Sequence, residues 1–367
     1  MRITRSSDDA TAWLALALTP GVGPRRALAL VERLGSPAAA LAAPASSLQE
    51  AGVPKAVGAA LRGAADRAQT EASKIAAAGA SLVTWSDASY PDRLREIPDP
   101  PLALAVRGAL AAGELCVAVV GARRASEYGR RVAEELARGL AQAGVTVVSG
   151  LAAGIDGAAH RGALDGSGRT VGVLGTGIDR VYPPWHADLA AEVAASGAVV
   201  SELPCGTAPV AFNFPRRNRV ISGMSAGVIV VEAAAESGSL ITARLALEQD
   251  RQVFAVPGPI GRTLQHGPHR LIRDGATLVT SVEDVLTELA PTLVSRVDQA
   301  RRAKAEASLG TAERQLLAAM DADARHVDTL VDRAGLPAGA ALETLLALEL
   351  RGLVEQCPGK RFRRKAA

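Results

Sequence analysis

A short basic run holds the side chains of this chain that are best suited to binding phosphate. Within residues 212–219, two phenylalanines come just before a group of three arginines and one asparagine: Phe212, Phe214, Arg216, Arg217, Asn218 and Arg219. An arginine binds phosphate through two parallel N–H donors, and an aromatic ring can stack on an unpaired base. Pro215 suits the first turn of a helix, whose positive end favours anions. The run therefore indicates a ligand site at a helix start, although its spacing alone leaves open a solvated basic turn.

Strands and helices alternate around this run and would position it. Six apolar runs without polar alternation predict strands: Leu115–Val120, Val145–Ser149, Thr170–Leu174, Ala198–Glu202, Val228–Glu232 and Gln252–Val256. Strands that are buried on both faces have this composition. Amphipathic helical patterns, such as Glu127–Ala143 and Ser239–Arg251, separate them. The alternation predicts an α/β fold, a Rossmann-like doubly wound and mostly parallel sheet covered by helices on both faces.

Glycines and small hydroxyl residues follow several of the predicted strands. Ligands of doubly wound sheets bind outside the carboxyl ends of the strands, where such turns and helix starts present backbone N–H groups to anions. Together with the basic run, these turns predict a site for a phosphate-bearing ligand. The candidate residues in them are Gly121, Arg123, Gly154, Ser237, Gly238 and Ser239.

Other motifs are missing or stand in the wrong context. The chain has no GxGxxG or GxxxxGK[ST] string, which disfavours a dinucleotide or P-loop nucleotide. The GxSxG string at 223–227 precedes a strand, whereas a nucleophile elbow follows one. His266 and His269 lack a third ligand. For Asp156 and His160, an acid–base pair and a salt bridge at a helix start are both open, and the salt bridge is the commoner arrangement. We therefore expect no cofactor, no metal and no catalytic residue.

The totals are compatible with a cytoplasmic protein of several domains. The net charge of +3 is too small to indicate a polyanion partner by itself. Three scattered cysteines form neither a zinc spacing nor a disulfide framework, as expected in a reducing compartment. The apolar run at 13–18 is too short for a signal peptide or a membrane helix, so no membrane span is expected.

Changes in pattern divide the chain into four parts. We expect a helical domain at 1–78, a Rossmann-like domain at 79–292, a charged linker at 293–310 and a winged-helix domain at 311–367. The turn at Pro20–Gly23 resembles that of a helix-hairpin-helix. The sequence is compatible with a turn that contacts DNA and with an ordinary turn between two helices. The last part reads as three helices and a hairpin whose wing, Lys360–Lys365, is basic. Duplex DNA contact and protein contact are both open for it.

Six strings in this order resemble the DNA-processing protein A family, also called Smf. They cover about residues 80–285 and lie at 149–160, 182–184, 214–219, 237–243, 254–258 and 271–276. The resemblance implies a non-enzymatic, homodimeric protein that protects incoming single-stranded DNA and loads the RecA recombinase onto it during natural transformation. By motif, the strand would contact Arg123, Phe214, Arg216, Asn218 and Arg219, with 237–239 in the same pocket. Ala122 and His269 stand where the family often has serine and asparagine.

An enzyme is the alternative from a different class. The glycine turns and arginines also resemble the lysine-decarboxylase-like phosphoribohydrolases, which process nucleotides. Their motif carries a second glutamate that the stretch Glu236–Ala243 lacks, so the expected acid is missing.

The end of the Rossmann-like part indicates a dimer interface. A last strand at Ala276–Thr280, followed by apolar residues at helical spacing, would leave a sheet edge that invites isologous pairing. The candidate interface residues are Leu278, Val282, Leu286 and Leu289.

Overall fold

The computed structural model describes residues 7–293, 306–321 and 323–365. The chain divides into two compact units, Met1–Leu289 and Ala290–Ala367. A large, mostly parallel sheet in the first unit confirms the predicted α/β fold class. The N-terminal helices share that unit with the sheet, so the boundary expected at residue 78 stays a prediction, as do the other domain boundaries. Over the described ranges, no helix has the length and hydropathy that crossing a membrane requires.

Short helices precede the sheet and pack around buried Trp13. They are α1 (Ser7–Leu18), α2 (Pro24–Leu34), α3 (Pro37–Ala42), α4 (Ala45–Glu50), α5 (Lys55–Leu61) and α6 (Ala64–Ala77). In the turn between α1 and α2, Arg26 donates to the carbonyl oxygen of Gly21. Arg25 donates through Nε to the carbonyl oxygen of Pro98 at 3.3 Å. These contacts favour an ordinary helix–helix turn over a DNA-contacting one.

A nine-stranded sheet forms the centre of the first unit within the described residues. Its strands are β1 (Ser81–Thr84), β2 (Ala103–Gly108), β3 (Cys116–Val120), β4 (Thr146–Ser149), β5 (Thr170–Val173), β6 (Ala198–Ser201), β7 (Gly227–Val230), β8 (Gln252–Ala255) and β9 (Thr277–Leu278). The order is β1-β2-β6-β5-β4-β3-β7-β8-β9, with only β1 and β2 antiparallel to their neighbours. The six predicted buried strands are confirmed as β3 to β8. β2 was not predicted, because the prolines before it indicated a connector.

Helices of the same unit connect and cover these strands: α7 (Asp92–Arg95), α8 (Glu127–Gln142), α9 (Ile155–Asp165), α10 (Ala187–Ser196), α11 (Asn213–Met224), α12 (Gly238–Glu248), α13 (His266–Arg273) and α14 (Val282–Leu289). Along the chain, strands are added outward from β3, first β4 to β6 on one side and then β7 to β9 on the other. The order therefore reverses between β3 and β7. A doubly wound sheet has its ligand crevice at that point, outside the carboxyl ends of the strands.

The second unit has the predicted winged-helix order. Its elements are α15 (Thr311–Ala318), β10 (Arg325–His326), α16 (Val327–Ala334), α17 (Ala338–Leu350), β11 (Val354–Cys357) and β12 (Arg361–Arg364). Its strands pair in the order β10-β12-β11 over the described part of the unit. The basic residues expected in the linker, Arg296, Arg301, Arg302 and Lys304, lie outside the described residues.

The predicted dimer surface needs correction. Leu278 in β9 is 46% exposed, as an interface residue should be. Val282 and Leu286 are buried in α14, and Val282 packs against Gly139 of α8. Leu289 is half-buried and lies near Gly227. The apolar spacing of α14 thus serves the core of its own chain, because the helix turns this face toward α8, and of the four candidates Leu278 is the exposed one.

Candidate functional site

A cavity of about 510 Å³ opens at the point where the strand order reverses. It is lined by the loops that follow the strands β3 to β7, by α11 and by the starts of α9 and α12. The sequence-predicted residues in its wall are Gly121, Arg123, Phe214, Arg217, Asn218, Ser237, Gly238 and Ser239. Tyr182, Asp156 and Thr242 line it as well and were not predicted as site residues. For Tyr182 a signal existed, since it begins one of the family-like strings.

Phe214 lies at the centre of the charged and aromatic groups of the cavity. The guanidinium carbon of Arg123 is 4.6 Å from the centroid of its ring, and that of Arg217 is 5.9 Å away. The Tyr182 ring lies 5.8 Å from it, tilted by 51°. A guanidinium over a ring face is held by cation–π attraction while its edge stays available for hydrogen bonds. Arg123 is exposed, so it presents this edge to the open side of the cavity.

Arg217 is buried, with 7% of its surface exposed. Its Nη2 donates to the carbonyl oxygen of Gly150 at 3.1 Å, and its Nε has no partner among the described residues. Burial lowers the pKa of Arg217 to about 10, so the guanidinium is charged at neutral pH. A buried charge that is incompletely paired is costly, and an anion in the cavity would complete its pairing.

Asp156 is the acidic neighbour of Arg217. Its carboxylate accepts a hydrogen bond from the backbone N–H of Gly150 at 3.1 Å. Burial raises the pKa of Asp156, and Arg217 and the backbone N–H groups of Gly150 and Ala152 oppose this rise. The carboxylate therefore orders the turn after β4 and balances part of the arginine charge.

The helical twist of α11 separates the arginines that the sequence places side by side. Phe214, Arg217, Asn218 and Ile221 follow the spacing of one helix face and line the cavity. Arg219 lies on another face, where its Nε is 2.9 Å from Asp99 Oδ2 and its Nη2 donates to Glu202. Arg216 is half-exposed, and its Nε is 3.7 Å from Glu202 Oε2.

The expectation that Arg123, Arg216 and Arg219 contact the strand together is not matched by the cavity wall, which contains Arg123 but neither Arg216 nor Arg219. The structure places Arg217 beside Arg123 and puts Arg219 in a buried ion pair on the other side of the helix. The reason is periodicity, because consecutive helical residues point about 100° apart. On a helix, basic residues three or four positions apart share a face, whereas residues two positions apart, such as Arg217 and Arg219, point to nearly opposite sides.

The start of α12 completes the wall. Ser237 caps the helix, and its Oγ lies 2.7 Å from Ser239 Oγ. Asn218 donates through Nδ2 to the carbonyl oxygen of Gly238 at 3.2 Å, which joins α11 to this turn. A helix N-terminus with small residues suits an anion, as the sequence indicates.

Gly154 and the two residues that depart from the family pattern, Ala122 and His269, do not line the cavity. At Gly154, a φ of +80° and a Cβ position only 2.3 Å from the carbonyl oxygen of Ala122 require glycine. Ala122 is buried, and its backbone N–H donates a hydrogen bond to the carbonyl oxygen of Glu232. His269 lies 2.9 Å through Nε2 from the carbonyl oxygen of Gly258, and it is not in the wall.

The second unit offers little positive charge on its third helix. α17 contains no lysine or arginine and exposes Leu342, Leu346 and Leu350. In the wing, Arg363 pairs with Glu355 at 2.8 Å and Arg364 with Glu306 at 2.7 Å. These contacts favour the protein-contact alternative over duplex DNA binding, which usually needs a basic recognition helix.

Two family models match the chain. One, described as DNA recombination-mediator protein A, matches residues 81–290, and the other, described as the DprA winged helix domain, matches residues 300–360.

Characterised relatives match over much of the same length. Protein Smf of Escherichia coli strain K12 is 45% identical over 291 residues, which are 78% of this chain and 78% of that protein. DNA processing protein DprA of Streptococcus pneumoniae is 46% identical over 203 residues, which are 55% of this chain and 72% of that protein.

Two solved structures have the same fold. The X-ray structure of DNA processing protein A from Streptococcus pneumoniae superposes with a TM-score of 0.68 at 35% identity, covering 79% of this chain and 99% of that chain. DNA processing protein A from Helicobacter pylori, whose structure is described as giving insight into its single-stranded DNA binding mode, has a TM-score of 0.51 at 28% identity. That match covers 57% of this chain and 95% of that chain.

Proposed function

Because the chain belongs to the DNA recombination-mediator protein A family, we propose that it binds single-stranded DNA in the cavity between β3 and β7. The observation that carries the proposal is the group formed by Arg123, Phe214 and Arg217. Two guanidinium groups flank one ring, so phosphates and an unpaired base would find partners at the same place. Relatives that are named DNA processing proteins support this assignment.

The proposed contacts act mainly on the DNA backbone. Arg123, Arg217 and the N-terminus of α12 recognise phosphate, which is the same in every sequence. Binding should therefore depend strongly on salt and little on base sequence. Each phosphate contact to a single strand contributes about 0.7 to the slope of log affinity against log salt.

Adjacent arginines provide a matched test. Arg123 and Arg124 are both exposed, but only Arg123 lines the cavity. We expect Arg123→Ala to weaken oligothymidylate and mixed-sequence strands alike by at least about tenfold and to lower the salt slope by about 0.7. Arg124→Ala should leave both unchanged. Fluorescence anisotropy with a labelled strand measures the two quantities, and equal behaviour of the two variants would contradict the proposed site.

We further propose that the protein protects the incoming strand and passes it to the RecA recombinase during natural transformation, acting as a homodimer. These steps rest on the family membership. They can be tested by strand-dependent ATP hydrolysis of RecA on DNA covered with single-strand-binding protein. The wild type and Arg124→Ala should shorten the lag, and Arg123→Ala should not. A wild type that binds the strand but leaves the lag unchanged would remove the loading step and keep the binding function.

The second unit is proposed to be dispensable for strand binding, since the cavity lies wholly in the first unit. A chain that ends at Ala307 should keep the oligothymidylate affinity of the full chain. The affinity of the full and truncated chains for duplex DNA tests whether the basic wing contacts a duplex. A folded truncated protein with weak strand binding would place the site elsewhere.

The proposal describes a binding protein, and the phosphoribohydrolase alternative differs in chemistry. Asp156, the carboxyl group in the cavity wall, accepts a hydrogen bond from the Gly150 backbone N–H, and the second glutamate of the phosphoribohydrolase motif is missing from Glu236–Ala243. Incubation with nucleoside monophosphates and chromatography of the products decides the matter. Release of free base would support the enzyme.

A further inference from the structure

Two large aromatic side chains close to the cavity project into solvent. Trp185 is 74% exposed and Phe212 is 78% exposed. Rings of this size normally supply buried apolar surface, and on a surface they commonly mark a contact site. The chain has few aromatic residues, 3% of the total, which makes the exposure of two of them beside one cavity informative.

Trp185 is held outward by a firmly attached turn. It is the middle residue of a short 3-10 helix, Pro184–His186, and His186 on its other side is buried. His186 Nδ1 lies 2.9 Å from the carbonyl oxygen of Leu151, and its ring packs against Gly157 in the first turn of α9. The Trp185 ring stands edge-on to the His186 ring at 6.5 Å. His186 thus fixes the backbone of the turn, and the Trp185 side chain leaves this turn on the solvent side.

The same turn is continuous with the cavity. Tyr182, three residues before Trp185, lines the cavity wall. Three residues span at most about 11 Å, so the indole lies within reach of the next nucleotides of a strand that fills the cavity. Ala152 and Asp156 also line the wall, and they neighbour the two residues that anchor His186.

Phe212 approaches the cavity from a second element. It is the N-cap residue of α11, and Ala211 before it and Phe214 after it both line the wall. Its ring is not needed for the core, since 78% of its surface is exposed.

We propose that Trp185 and Phe212 are stacking platforms for bases of the strand on either side of the nucleotides held in the cavity. The inference rests on the proposed function and adds the contacts that the bases make outside the cavity. Stacking suits every base, because each has a π-face, so the platforms add affinity without sequence preference. The ligand of these platforms is therefore a single strand of any base sequence, and a strand without bases should not bind to them.

Intrinsic fluorescence tests the Trp185 platform directly. The chain has three tryptophans. Trp13 is fully buried and Trp85 is half-buried against it, with ring centroids 5.9 Å apart, so Trp185 is the strongly exposed one. Oligothymidylate should quench tryptophan emission with the same midpoint as the anisotropy titration. In Trp185→Phe the quenching should vanish while the strand still binds.

Affinity measurements test both platforms. For a strand of about 12 nucleotides, Trp185→Ala and Phe212→Ala should each weaken binding roughly tenfold. The salt slope should stay unchanged, because no charge is removed. On a strand of equal length that is abasic outside its central nucleotides, neither substitution should matter. Ile260→Ala is the matched control, since Ile260 is 89% exposed and does not line the cavity.

The outcomes separate the two proposals. If the wild type binds the strand but shows no quenching, and the alanine variants bind as tightly as the wild type, the platforms are absent and the proposed function stands. If the alanine variants lose equal affinity for intact and abasic strands, the side chains act on the shape of the protein and the inference is overturned. If the wild type binds no strand, both proposals fall.

Discussion

Arg217 lies directly against the backbone of Gly150, so closely that a Cβ atom on Gly150 would be 1.6 Å from Arg217 Nη1. The guanidinium also donates to the Gly150 carbonyl oxygen at 3.1 Å. The absence of a side chain at Gly150, in the loop after β4, therefore allows the Arg217 guanidinium of α11 to occupy this position. The contact connects α11 with the loop after β4, and it can be tested by substituting either residue.

Gly150→Ala should weaken strand binding about as much as Arg217→Ala, at least about tenfold, because the added methyl group displaces the guanidinium. The double variant should be no weaker than Arg217→Ala alone, since both changes remove the same contact. Anisotropy titrations of the four proteins give this cycle. Gly113→Ala is the control, as a Cβ there meets nothing within 4 Å. Additive losses would show that Gly150 acts independently of Arg217.

Arg219→Ala should lower stability rather than strand affinity. The substitution removes the buried partner of Glu202 and leaves it only the longer contact with half-exposed Arg216. Loss of a buried partner typically costs about 3 kcal/mol. Chemical denaturation should show the loss, and the salt slope of strand binding should stay at its wild-type value below the melting transition. Arg244→Ala, which removes an exposed partner of Glu248, is the control and should change stability little. A reduced salt slope for Arg219→Ala would show that Arg219 contacts the strand and would contradict this prediction.

Asp156 should make strand binding dependent on pH. Its folded-state pKa is raised above the unfolded value, so the charged form is unfavourable in the folded protein at neutral pH and proton uptake on acidification relieves this. Protonation also removes a negative charge beside Arg217, so strand affinity should rise as the pH falls through the raised pKa of Asp156. In Asp156→Asn the affinity should be higher at pH values above this pKa, and this part of the pH dependence should disappear. Parallel pH profiles for the two proteins would contradict the assignment.

Leu278→Asp should yield a monomer if the proposed dimer forms through the β9 edge. The substitution places a charge at an exposed position of a two-residue edge strand and leaves the core untouched. Light scattering at micromolar concentration reports the mass. Leu346→Asp, at an exposed leucine of α17, controls for the loss of apolar surface. Leu286→Asp is not a useful test, because Leu286 is fully buried and the variant would unfold. A monomeric wild type would reject the dimer.

The strands of the sheet could be predicted from the sequence because each one is marked by the composition of its own few residues. Runs such as Val117–Val120 are apolar without interruption, and only a strand buried on both faces accounts for that. The candidate residues could be assigned to turns at the carboxyl ends of the strands, but the strand order, which decides which of these turns meet, comes from the structure. β2 was missed because its flanking prolines carry the stronger local signal.

The roles of individual side chains depend on contacts that no local pattern contains. Arg217 and Arg219 have the same chemistry and stand two positions apart, and the distant residues Gly150 and Glu202 decide which one faces the cavity. Val282 and Leu286 likewise have the spacing of an interface, but α8 covers them within the same chain. The periodicity of apolar residues indicates that one face of a helix is buried. It does not indicate whether the same chain or a second copy covers that face.

The twelve-residue helix α11 carries the proposed strand-binding groups on one face and the Arg219 ion pair on another. Substitutions on the first face should therefore change strand affinity, and substitutions on the second should change stability. An engineer who wants weaker or tighter versions of the protein can alter Asn218 on the cavity face and leave Arg219 as it is. A screen for loss of single-strand binding would be expected to collect two kinds of variants from this helix, and the amount of folded protein would distinguish them.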